Sequence, residues 1–180
     1  MTEASRYEEF CPLDFSNHSL VVMINWGIVR RFQEKYGLTG IREIRSEYWS
    51  KREKGLIERL HIWAVRLVVD RKVNAFGGRY DFPTKTLRMF PDAVLMGLLS
   101  KRVDAVQLDE TQVDEAFETL LTEGASELCF VLAHEFGHAA IGQKFFRGLN
   151  KTEKMADKFA EEHLDELEGA FKVEERITKK

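Results

Sequence analysis

Residues 126–142, "SELCFVLAHEFGHAAIG", decide how the rest of this chain is read. The stretch is apolar almost throughout, yet it holds His134, Glu135 and His138. On a helix, residues four apart share a face, so His134 and His138 point the same way and can grip one metal ion through neutral imidazoles. Glu135, turned by about 100°, is poorly placed as a third ligand but can reach a water held by that metal. Zn²⁺ lowers the pKa of such a water, and a glutamate can take its proton and later pass it to a leaving amine. The bland alternative is a buried helix with satisfied histidines. It must also explain a carboxylate among Phe, Val, Leu and Ala, where an unpartnered charge is costly. Gly137 sits mid-helix at a cost of ~1 kcal/mol against Ala, which suits a close approach by another element.

A third ligand sets the type of site. Gly at 141 and His at 144 would mark one common class, but the chain has Ile141 and Lys144. The next helical pattern, "EKMADKFA", offers Glu153 and Asp157 on one face, with small Ala156 and Ala160 that would let it lie close to a neighbour. Glu153 is the candidate ligand, and Asp157 the candidate acceptor for a ligand histidine's other ring N–H. A solvated charged face is the alternative for both. His163 is a rival ligand, about 80° off the Glu153 face and set among Glu161, Glu162 and Asp165. His18 and His61 are isolated. Cys129 reads as core packing. Cys11 is a remote candidate for a thiolate that caps the metal from the N-terminal segment.

The 180 residues suit one domain able to bury a sizeable core. A net charge of −3 gives no reason to expect direct nucleic-acid binding. The N-terminus lacks the apolar core of a secretory signal, no run approaches a membrane span, and two cysteines make no disulfide framework. The setting expected is cytoplasmic and reducing.

Along the chain, "SLVVMINWGIVRRFQEKY" reads as an amphipathic helix stopped by Gly37, and residues 41–72 as one long helix or two joined near Gly55. Residues 73–90, with Gly77, Gly78 and Pro83, suit short strands, and "RVDAVQL" a further one. A helix is expected to end at Gly124, the histidine helix to close near Gly142, and the Glu153 helix to run to Gly169. The fold class expected is α+β, mostly helical. Residues 1–75 form a helical N-terminal part, 76–169 a catalytic part with a short sheet, and 170–180 a frayed tail.

"HEFGH" followed by E-x-x-A-D and "KFA" resembles the gluzincin class of zinc metallopeptidases, and within it the small soluble ImmA/IrrE-like proteases of bacteria and phages. His134, Glu135, Gly137, His138, Glu153, Ala156, Asp157, Phe159 and Ala160 carry the match. The resemblance covers residues 126–164. It implies a zincin-like domain, Zn²⁺ held by His134, His138 and Glu153, and Glu135 as general base. It also implies an edge strand that lines the cleft, for which "RVDAVQL" is the candidate. The substrate implied is a protein, with a DNA-binding repressor as one class. Tyr80 and His163 are guesses for an oxyanion helper. Two readings stand against an active peptidase. One is a regulatory or binding module that keeps zinc and the fold; the other is a helical interaction protein without metal.

Overall fold

The computed structural model describes residues 6–15, 18–48, 77–102, 110–142 and 149–176. The chain is α+β, with a long central helix between two small sheets. Strands β1 (Tyr7–Phe15) and β2 (His18–Asn25) form an antiparallel hairpin. Helix α1 (Trp26–Lys35) follows directly, and β3 (Glu43–Ser46) comes next. After β4 (Gly78–Asp81) and β5 (Thr86–Met89) come α2 (Pro91–Arg102), α3 (Glu110–Ile141) and α4 (Leu149–His163). A 3₁₀ turn (Leu164–Leu167) leads into β6 (Phe171–Glu175).

Among the described residues, the N-terminal part is therefore not a run of helices. Of the helix expected from Ser19 to Tyr36, the first half is strand. "LVVMI" has the branched residues that fit a pleated sheet, and Leu20, Val22 and Ile24 alternate into the core at no more than 1% exposure. Asn25 makes the switch: its backbone is extended, and its Oδ1 accepts the N–H of Gly27 at 3.0 Å and of Ile28 at 3.4 Å. Such a cap starts a helix where the strand ends. Only α1 of the expected helix is helical, and it closes at Gly37. Residues 43–46, expected to be helical, form β3 and pair in parallel with β5. Residues 49–76 and 103–109, and with them His61 and most of "RVDAVQL", lie outside the described residues.

Residues 171–175, within the tail expected to fray, instead form β6. Strand β6 pairs antiparallel with β2, which it joins as the third strand in the order β1–β2–β6. Phe171 and Val173 are 2% and 7% exposed, and burial of two such side chains is worth ~1.5–3 kcal/mol each. That alternation within "FKVEE" outweighs the charges around it.

Helix α3 runs unbroken through Gly124, which does not end it. A Cβ there would stand 2.7 Å from Leu95 Cδ2 and 3.2 Å from Val173 Cγ2. The glycine lets α2 and β6 close onto the helix, and packing overrides its weak helical propensity. Over 32 residues, about 48 Å of helix, α3 packs against α2, α4, β4 and β6. Leu120, Leu128, Leu132, Ala133 and Phe136 are buried there, and Phe136 stacks on Phe32 of α1 at 5.3 Å. From Leu128 to Ala140 the helix is enclosed on several sides and apolar almost throughout, which is why His134, Glu135 and His138 stand out there. No helix among the described residues is long and apolar enough to cross a membrane.

The second sheet has the order β3–β5–β4, with β4 antiparallel to β5. Leu87 and Met89 point into the core at 0% exposure. Strand β4 lies against α3 and brings Gly77 and Gly78 up to Val131 and Glu135.

Candidate metal centre

His134 and His138 project from one face of α3, and Glu153 reaches them from the first turns of α4. The three side chains form a group able to hold a metal ion. His134 Nε2 and His138 Nε2 are 3.0 Å apart. Glu153 Oε2 is 3.1 Å from His134 Nε2, and its Oε1 is 3.2 Å from His138 Nε2. Ligand atoms at ~2.0–2.1 Å from a tetrahedral zinc stand about 3.3 Å from one another. The two histidine nitrogens are within a few tenths of an ångström of that spacing, and each lies beside a different oxygen of the Glu153 carboxylate.

The donor chemistry also fits a cation. His134 Nδ1 lies 2.8 Å from Asp157 Oδ1. A carboxylate accepts only, so that nitrogen carries the proton, which leaves the Nε2 lone pair available to a metal whenever the ring is neutral. The lone pair faces another imidazole nitrogen and a carboxylate, an arrangement that a dication would satisfy. Burial lowers the pKa of His138, which favours its neutral, ligating form. The side chains of His134 and His138 are 16% and 18% exposed, and that of Glu153 is 53% exposed, so the group has a buried floor and an open mouth.

Close helix contact sets this geometry. Ala156 and Ala160 are fully buried between α4 and its neighbours. A Cβ on Gly137 would meet Ala156 Cα at 2.9 Å and Ala156 O at 3.1 Å. Three small residues thus bring the helices together where Glu153 and Asp157 must reach across. Asp157→Ala is expected to leave the fold intact and to weaken zinc binding about 10–100-fold, measured by competition with a chelating dye.

Glu135 is 5% exposed and does not join the triangle. Burial pushes its carboxyl up to about 8, with the Glu153 charge adding to the rise and a hydrogen bond from the Tyr80 backbone N–H opposing it. Its Cγ would be 2.7 Å from a Cβ on Gly78, so only glycine at that place on β4 admits the glutamate. This support from β4 was missed in the sequence. The signal was present in "GG" within an aromatic, strand-like stretch, since glycine inside a strand marks a close approach.

The remaining candidates lie apart from the triangle. His163 Nδ1 pairs with the Tyr36 hydroxyl at 2.9 Å, and its ring packs on Phe159 and Tyr36. Glu166 and Lys35 complete a tie between α1 and the 3₁₀ turn. His163 is a packing residue here, and the rival ligand assignment does not hold. Tyr80 touches Glu135 through its amide, while its ring packs edge-on against Phe82. Cys129 donates to Leu167 O at 3.2 Å inside the core. Cys11 is 1% exposed on β1, packed in the core with burial raising its thiol to about 11. It is not a cap for the metal. No family model, curated protein or solved structure matched the chain in the three comparisons made.

Proposed function

We propose that the chain is a zinc-dependent endopeptidase of gluzincin type that cuts an extended segment of a protein. The reading rests on one observation. His134, His138 and Glu153 offer ligand atoms close enough together to share one metal ion, and a buried carboxylate of raised proton affinity stands beside them. A purely structural metal site needs no such carboxylate. The placement of β4 as an antiparallel edge beside α3 supports a zincin-like arrangement, with β4 in the role first given to "RVDAVQL".

Zinc held there would supply a Lewis acid for the scissile carbonyl and a lowered pKa for the attacking water. The chain's own residues do the rest. Asp157 fixes the tautomer and ring orientation of His134. Glu135 accepts a proton at its carboxylate oxygen and delivers it to the leaving nitrogen. The Tyr80 N–H holds the charged form of that carboxylate, and the wall of β4 and α3 keeps bulk water from its back. A DNA-binding repressor is one substrate class that the family resemblance implies.

Zinc-loaded protein incubated with a peptide mixture is expected to produce a restricted set of new termini by mass spectrometry. The set should vanish with chelator and return with zinc. Zinc binding at the triangle with no new termini in peptide mixtures or cell extract would favour a regulatory module instead.

A further inference from the structure

We propose that the open edge of β4 selects extended segments carrying an acidic side chain directly opposite Arg79, next to the bond that is cut. This inference rests on the peptidase reading above.

The register of the second sheet lines up three arginines. Arg45 on β3 stands opposite Arg88 on β5, and Arg88 stands opposite Arg79 on β4. Directly paired residues share a face, and this is the face away from Leu87 and Met89, which point into the core. Like charges directly opposite one another destabilise a sheet. Two of the three have a counter-charge: Glu47 Oε1 is 2.9 Å from Arg45 Nη2 and 3.6 Å from Arg88 Nε. Arg79 is exposed, and no carboxylate pairs with it among the described residues. Asp81, two residues on and on the same face, is engaged by the Thr84 hydroxyl at 2.7 Å. Among the described residues the row therefore ends at the sheet edge in an unmatched positive charge.

That edge is the one beside Glu135. Phe90 N–H donates to Gly77 O at 2.9 Å, so Gly77, Arg79 and Asp81 turn their backbone groups toward β5. By alternation, Gly78 and Tyr80 turn theirs to the open edge. No strand pairs with that edge among the described residues, and Glu135 lies against these two residues. The Tyr80 N–H is held by Glu135, so an antiparallel segment would bond to Gly78 and to the Tyr80 C=O, which puts its intervening residue opposite Arg79 in the close, non-hydrogen-bonded pairing. Its side chain would lie on the arginine face, and the bond to be cut would be one or two residues away. A carboxylate there completes the row.

The test uses peptide hydroxamates, which bind a zinc site without being cut. Eight-residue peptides of alternating Val and Thr would carry Glu, Gln or Lys at each of the four positions next to the hydroxamate. Affinity for the zinc-loaded full chain would be measured by calorimetry. At one position Glu is expected to exceed Lys by about 5-fold. Arg79→Gln should level the preference, Arg79→Glu should invert it, and Arg45→Gln should leave it in place. Equal affinities at every position in the wild type would overturn the selection, whether or not the matching amide peptides are cut. The expected preference with no amide peptide cut would instead remove the peptidase reading and leave the docking edge standing.

Discussion

Glu135→Gln is expected to keep its zinc, to lose cleavage by about 10²–10⁴-fold, and to be more stable than the wild type in metal-free buffer at alkaline pH. The first two effects follow from position: Glu135 lies outside the donor triangle and is the buried group able to move a proton beside it. The third follows from proton linkage. The folded-state carboxyl is raised from an ordinary 4.5 to about 8, so the folded chain binds this proton more tightly than the unfolded chain. The stabilisation is complete below about pH 4.5 and is lost as pH climbs to about 8. A neutral glutamine of the same shape escapes that loss. At 1.36 kcal/mol per unit, the gap between variant and wild type should grow to a few kcal/mol above pH 8. Urea unfolding in chelator at pH 5 and pH 8.5 reads it directly. Parallel pH profiles for the two proteins would mean that the glutamate is not held in the dry environment described.

Gly137→Ala sets propensity against packing. Alanine gains ~1 kcal/mol in a helix interior by propensity alone. Here its Cβ would come to 2.9 Å from a backbone Cα of α4 and 3.2 Å from Phe159 Cβ. Neither is the far end of a flexible side chain, so α4 must shift. Overpacking of this kind costs ~1–3 kcal/mol, and the variant is expected to be net destabilised. Glu153 rides on the displaced helix, and metal sites tolerate only about ±0.2 Å in ligand distance. Zinc affinity should therefore fall by at least about 10-fold, while far-ultraviolet circular dichroism stays near wild type. A Gly137→Ala protein that is more stable and binds zinc as before would show that the two helices are not in the contact described.

The site was more legible in the sequence than the fold around it. His134, Glu135 and His138 carry their geometry in their spacing, because one helix fixes all three. Glu153 and Asp157 could be found because their helix repeats the same four-residue logic beside small alanines. What the spacing hid was long-range. Residues 20–24 have an apolar pattern that suits either helix or strand, and the hydrogen-bonding partners that decide lie in β1 and in β6, more than 140 residues away. Gly124 has the same letter as a helix stop but serves contact with Leu95 and Val173, which no local pattern reveals. Charged "VEE" looked solvated because the alternating burial of Phe171 and Val173 is recognised only once β2 is beside them. The backing of Glu135 by Gly78 and the Tyr80 amide is likewise a meeting of distant segments.

The central claim is that His134, His138 and Glu153 hold one zinc ion. Equilibrium dialysis followed by elemental mass spectrometry tests it on purified chain and four single variants. The wild type is expected to carry about one zinc per chain. His134→Ala, His138→Ala and Glu153→Ala should each lose it at a zinc level that saturates the wild type, while His163→Ala keeps it. Wild-type zinc content in Glu153→Ala, or its loss in His163→Ala, would contradict the ligand set.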